Sequence, residues 1–259
     1  ERRVRVVWSH EAWDAAAPDT FIAYTTETRN ADPATAAAQV GAVIAHAQCL
    51  GAKLCFKKID STLRGPVAAE LGAVAAALPE ARFLFAPANP AVGRTVRAGC
   101  LLVRGVPVAE TEFARDPLSP VRESELRAFV GALAGDRIVI PDTATAADFA
   151  ASVLRMEEGG PNWIPVGSGA LARAVAERSA RPAMARADPP STVAAGPILL
   201  VCGSAHPLNR AQAEELHRQR SVPVCELRIE DIAGTVRAAV DSLGRSGSVS
   251  LVVGATRTA

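Results

Sequence analysis

The sequence predicts an α/β fold whose mainly parallel sheets are covered by helices. Two observations predict that class: short β-branched or apolar runs alternate with Ala-rich helical stretches along most of the chain, and helix-start signals stand between them. A third observation divides the chain. Residues 180–197, ARPAMARADPPSTVAAGP, lapse into Pro, Ala, Ser and Thr before a new apolar run, which reads as a linker. Two domains are therefore expected, residues 1–188 and 196–259.

Taken in order, strands are expected at 4–8, 20–26, 54–56, 82–88, 137–141, 162–167, 198–203 and 249–254, each rich in β-branched or apolar residues. Asp32-Pro33 starts a helix through residues 34–48, Pro66 suits the first turn of the next, and Thr145 with Asp148 forms a capping box ahead of residues 149–156. Residues 97–120 lack a long helix and read as an ordered, strand-containing excursion, a kind of segment that often carries function.

Composition narrows the function. With 49% hydrophobic residues, 21% charged residues and a formal net charge of +1, neither disorder nor a bulk attraction to nucleic acid or membrane is indicated, so any anion site is local. Cys49, Cys55, Cys100, Cys202 and Cys225 include no C-x-x-C pair and are expected to be reduced, buried thiols. No run of about eighteen apolar residues occurs, and ERRVRVVW does not read as a signal peptide, so a cytoplasmic setting is expected. His10, His46, His206 and His217 form no metal-binding spacing, and no G-x-S-x-G elbow is present.

The chemistry sits in the turns. In LCFKKIDSTLRGP, residues 54–66, an apolar run gives way to Lys57, Lys58, Asp60, Ser61, Thr62 and Arg64 just before a helix start. A helix N-terminus offers unpaired N–H groups and a favourable dipole to an anion, to which the lysines and Arg64 add full charges and Ser61 and Thr62 add hydroxyls. The alternative is a solvated loop in which Asp60 pairs with a lysine. A second turn, FLFAPANPAVGRTVRAG, offers Asn89, Gly93, Arg94 and Thr95 after a strand ending at Ala86, although a plain Pro/Gly loop accounts for it equally well. Thr28 and Arg29 in TTETRN form a third, weaker candidate, with a surface arginine as its alternative. Gly167, Gly169 and Ala172 fit a dinucleotide-binding spacing, but no strand ending in an acidic residue follows about twenty residues on, which leaves a nicotinamide-dependent oxidoreductase as an alternative function. Gly203 and Ser204, opening a helix, suit a nucleotide phosphate or else only a tight turn.

KKIDSTLRGP, followed by PANPAVGRTVRAGCLLVRGVPVAETEFARDPLSPV, VGSGALARA and VCGSAHPLNRAQ, resembles the four-carbon acid sugar kinase family, and the resemblance runs through nearly the whole chain. It implies ATP-dependent phosphorylation of threonate, erythronate or a 3-oxo-tetronate, with Mg2+ accompanying ATP. Residues 1–188 become the acid-sugar substrate-binding domain and residues 196–259 the beginning of a nucleotide-binding domain, with the active site in the cleft between them. The implied substrate contacts are Thr28, Arg29, Lys58, Asp60, Ser61, Arg64, Gly93, Arg94 and Thr95, and the implied nucleotide contacts are Gly203 and Ser204. Arg64 is expected to grip the substrate carboxylate through two parallel bonds. Pro66, Asn89, Ala91 and Val96 depart from residues usual in the family. Its acidic Ala-Asp-Asp and Thr-Gly-Ala turn and its Gly-Gly-Asp-Thr loop are expected before Glu1 and beyond Ala259 of an intact protein, and the catalytic base is not identified within the sequence. The partner expected is a small sugar acid rather than nucleic acid or membrane, with a homodimer left open; a non-catalytic acid-binding protein is a further alternative.

Overall fold

The computed structural model describes residues 3–14, 20–131, 136–179, 196–203 and 207–253. These fall into two compact units, Glu1–Ala185 and Arg186–Ala259. Residues 180–195, most of the expected linker, lie outside the described residues, as does Ser204.

The first unit opens with a parallel pair, β1 (Arg3–Val7) beside β2 (Thr20–Tyr24), separated in sequence by helix α1 (His10–Asp14). Its main sheet has four parallel strands in the order β3 (Lys57–Lys58), β9 (Trp163–Gly167), β4 (Arg82–Ala86), β8 (Ile138–Val139). Phe83, Leu84, Phe85 and Ala86 are all buried, the near-continuous apolar run of a parallel strand covered on both faces. Their cluster takes in Val40 and Ile44 of α2 (Pro33–Cys49), Leu71 and Val74 of α3 (Val67–Ala77), Leu126 of α4 (Leu126–Val130), Phe149 and Val153 of α5 (Ala146–Glu158) and Leu171 of α6 (Gly169–Ser179). Burying one side chain such as Phe85 contributes about 1.5–3 kcal/mol.

The helix starts follow the sequence signals. Asp32 accepts the Thr35 N–H at 2.9 Å with Pro33 at the first helical position, and Thr145 and Asp148 form the reciprocal capping box. Pro66 stands one residue before α3, at its N-cap, rather than inside its first turn.

The excursion is a three-stranded antiparallel ribbon, β5 (Arg94–Arg97), β6 (Cys100–Val103) and β7 (Val106–Pro107). Its two-residue loops, Ala98-Gly99 and Arg104-Gly105, have positive φ at both positions, the geometry that matches strand twist in tight hairpins.

Three expectations need correction. Residues 54–56 are not a strand: the ladder begins at Lys57, because β9 meets β3 only through Val166 and Gly167. Leu54 and Phe56 still pack against the core while Cys55 is exposed, so the segment alternates without a hydrogen-bonded partner. The five cysteines are free but not buried; Cys49 and Cys55 are exposed and the others half-buried. The third correction lies in the second unit, whose parallel sheet has the order β10 (Ile198–Cys202), β12 (Ser248–Val253), β11 (Val224–Leu227), with helices α7 (Pro207–Arg220) and α8 (Ile232–Ser246). The short edge strand β11 was not expected, because Glu226 interrupts its apolar pattern; there it pairs with Arg210.

Candidate functional site

β3 and β4 belong to one parallel sheet, so the turns that follow them, residues 59–66 and 87–93, leave it at the same, carboxyl end, where ligands of such sheets bind. Asp60 is the hub of the first turn. Its carboxylate accepts the Thr62 N–H at 2.8 Å and the Thr62 hydroxyl at 2.5 Å, and pairs with Arg64 at 3.0 Å and Arg29 at 3.2 Å. Burial by itself would push the Asp60 carboxyl up, but Thr62 and Arg64 together hold it below its ordinary value. The Leu63 N–H bonds the Asp60 carbonyl at 3.1 Å, and Leu63, buried, sits at φ 63°, where a bulky side chain is strained by roughly 1–3 kcal/mol.

One side of this turn is closed. Lys57 Nζ meets Glu70 Oε2 of α3 at 2.5 Å, and the buried Thr28 donates its hydroxyl to the other Glu70 oxygen. Glu70 thereby ties the Thr28–Asn30 turn to β3 and α3. Gly65, at φ 92°, packs against that same turn: a Cβ there would stand 2.9 Å from the Arg29 carbonyl oxygen. Lys58, next to Lys57, has no carboxylate within ion-pair distance among the described residues; its Nζ donates to the Ile59 carbonyl at 2.7 Å, and burial lowers its pKa against the pull of Asp60.

The other side carries two arginines. Arg64 reaches Asp116 at 3.3 Å as well as Asp60; burial would lower its pKa, and the two carboxylates raise it above the ordinary value. Asp116 in turn accepts the Ser119 and Leu118 N–H groups, which with Arg64 outweigh burial and hold its carboxyl low. Arg94 donates to Ser61 Oγ at 2.5 Å and has no ion-pair partner among the described residues; burial lowers its pKa. Both guanidiniums lie over the Phe113 ring, and the Nε of each is buried without a hydrogen-bond partner. Such atoms, left unsatisfied, mark a place where an anion would be stabilised.

The remaining sequence candidates are placed as follows. Arg29 is largely exposed, and Gly93, at φ 72°, lets the chain turn into β5, on which Thr95 is half-buried opposite Leu102. A Cβ on Gly167 would stand 2.4 Å from the Ala86 carbonyl oxygen, and the Ser168 hydroxyl accepts the Ala170 N–H while donating to the Ala88 carbonyl. Strand packing and a local cap thus account for Gly167 and Ser168, whereas a Cβ on Gly169 would meet open space. Gly203 follows β10 and is exposed. Sequence reasoning named neither Glu70, Phe113 nor Asp116; its signal for the last two was the excursion as a whole.

The profile of the family described as sugar-binding N-terminal domain matches residues 2–135, about half of the chain. The chain belongs to that family. Its curated relatives include a D-threonate kinase from Bordetella bronchiseptica, 35% identical over 216 residues, 76% of this chain and 51% of the relative. A D-erythronate kinase from Heliobacterium modesticaldum is 39% identical over 114 residues, 43% of this chain and 26% of that protein. The resemblance to four-carbon acid sugar kinases therefore holds, and the chain spans about half the length of the Bordetella relative. Among solved structures, a domain of unknown function from Bordetella bronchiseptica, a domain-swapped dimer with bound citrate, matches at TM-score 0.63 and 29% identity over 97% of this chain and 66% of that one. A Haemophilus influenzae protein at 17% identity and TM-score 0.58, covering 97% of this chain and 68% of its own, shares the fold.

Proposed function

We propose that the intact protein is an ATP-dependent kinase of a four-carbon sugar acid, with residues 1–188 forming the acid-binding domain. The observation that carries this reading is Arg94: a half-buried guanidinium with Ser61 as its hydrogen-bond partner, an unsatisfied Nε, and no carboxylate paired to it among the described residues. The substrate carboxylate would meet Arg94 beside Ser61, its hydrogen-bond partner, and Lys58 is proposed to meet the substrate's hydroxyls. Arg64, whose two terminal nitrogens already face Asp60 and Asp116, would add its Nε and its charge. Phosphoryl transfer depends mostly on positioning and charge neutralisation, which suits this cationic site. The kinase names of the relatives and the citrate held by the Bordetella structure support an acid ligand, and that structure's dimer supports a homodimer.

ATP would supply the phosphoryl group. Residues 196–259 would begin the domain that brings it, with transfer in a cleft between the two domains; Gly203, with open space where a Cβ would stand, fits a backbone approaching a phosphate, and Ser204 is proposed beside it. Mg2+ would accompany ATP; among the described residues no group of three or more His, Cys, Asp or Glu is placed to hold a metal, and Asp60 and Asp116 already face arginines, so the ion would be held largely through the ATP phosphates. Among the described residues no helix is long and apolar enough to cross a membrane, and the free cysteines suit the cytoplasm proposed as the setting.

The test incubates the intact protein with D-threonate, D-erythronate or a 3-oxo-tetronate and ATP. ADP and one phosphorylated acid are expected. Acid binding without ATP consumption would favour a non-catalytic binding protein, and a change in NADH absorbance would favour the oxidoreductase.

A further inference from the structure

Phe113 lies on the 3-10 turn Glu112–Arg115 that follows the ribbon. Its backbone is pinned from two directions: the Thr111 hydroxyl accepts its N–H at 3.4 Å, and its carbonyl accepts the Val121 N–H at 3.0 Å. Its ring packs partly buried against the main core. Against that fixed ring stand the Arg64 Cζ at 5.3 Å and the Arg94 Cζ at 5.4 Å from the centroid.

Two guanidiniums this close to one ring repel each other, and each is partly withdrawn from water. Arg64 has Asp60 and Asp116 at ion-pair distance to offset that repulsion, whereas the hydrogen-bond partner of Arg94 is Ser61, which carries no charge, and Asp60 and Glu112 act on it only from beyond ion-pair distance. The negative face of an aromatic ring attracts a cation, most strongly where water is excluded. Phe113 is thus an electrostatic partner for both arginines, and the one that leaves the Arg94 N–H groups free for a ligand.

We infer that Phe113 is a positioning residue for acid binding, its ring face holding the Arg64 and Arg94 guanidiniums in place for the substrate carboxylate. The inference rests on the proposed function for the identity of the ligand. It also deepens that reading, because the excursion then supplies the support for the cations that the two strand-end turns present.

The test separates ring electrostatics from packing in the intact protein. Phe113→Leu keeps an apolar side chain and Phe113→Tyr keeps the aromatic face. Phe113→Leu is expected to weaken D-threonate binding about tenfold by calorimetry, the combined scale of two modest cation–π contacts, and to raise the acid KM while leaving the ATP KM unchanged. Phe113→Tyr is expected to bind within about twofold of wild type. Wild-type binding by Phe113→Leu, or equal weakening by both variants, overturns the inference. If the wild-type protein binds no four-carbon acid, the functional reading fails, and NMR of the ligand-free protein decides the positioning. Ring-current shifts of the Arg64 and Arg94 Nε–H signals must then be present with Phe and Tyr and lost with Leu, and unchanged signals in Phe113→Leu overturn it.

Discussion

Lys57 and Lys58 are neighbours, yet among the described residues only Lys57 has a carboxylate within ion-pair distance. On the Lys57 side every strong charge is answered inside the protein, with Glu70 taking the lysine and the Thr28 hydroxyl. On the side of Arg64 and Arg94 the chain brings cations together and leaves buried N–H groups unsatisfied. The first arrangement closes the turn, and the second is where the proposed acid would bind. Charge alone does not distinguish a binding residue from a structural one; what distinguishes them is whether the fold has already supplied the counter-charge.

The comparison is broken most severely at Glu70. Its side chain is 8% exposed and that of Lys57 16%, so Glu70→Ala leaves a half-buried ammonium without its carboxylate and is expected to destabilise the protein by about 3 kcal/mol in denaturant unfolding, the low end of the scale for breaking a buried pair. A loss close to that of a surface substitution would show that this side is not closed as described. Gly65→Ala is expected to lose about 1–3 kcal/mol, since the residue sits at φ 92° with the Arg29 carbonyl oxygen 2.9 Å from the added carbon. Unfolding free energies with and without the substitution check it.

A gentler perturbation is pH. Asp60 has a folded pKa below its ordinary 3.8, so its contribution to stability is fully present above 3.8 and is lost as the pH falls from there to the folded value. Unfolding free energy should therefore decline in acid more steeply for wild type than for Asp60→Asn. Equal slopes would mean that Thr62 and Arg64 do not favour the ionised form.

Much of this division was out of reach of the sequence. The charged turn was legible because its residues are contiguous and end at a helix start, and the caps were legible because they act across three or four residues. The partners that sort its charges are distant: Glu70 lies 13 residues from Lys57, Arg94 lies 33 from Ser61, and Asp116 lies 52 from Arg64. Nothing local indicated that Lys57 would be neutralised and Lys58 not. The same limit explains β3 and β11, whose extents are set by the neighbouring strand rather than by their own composition. The excursion was flagged by its length, but Phe113 and Asp116 emerged only once the ribbon had folded it back to the two arginines.

The central claim is that Arg94 is the cation reserved for the substrate carboxylate. Calorimetry on the intact protein, titrating the acid and ATP separately into wild type and Arg94→Gln, tests it most directly. Acid binding is expected to weaken by about 1.5–3 kcal/mol, the scale of a hydrogen bond to a charged group, which is roughly ten- to a hundredfold, with ATP affinity unchanged. If the substitution weakens ATP and leaves the acid untouched, Arg94 belongs to the phosphate site and not to the acid site.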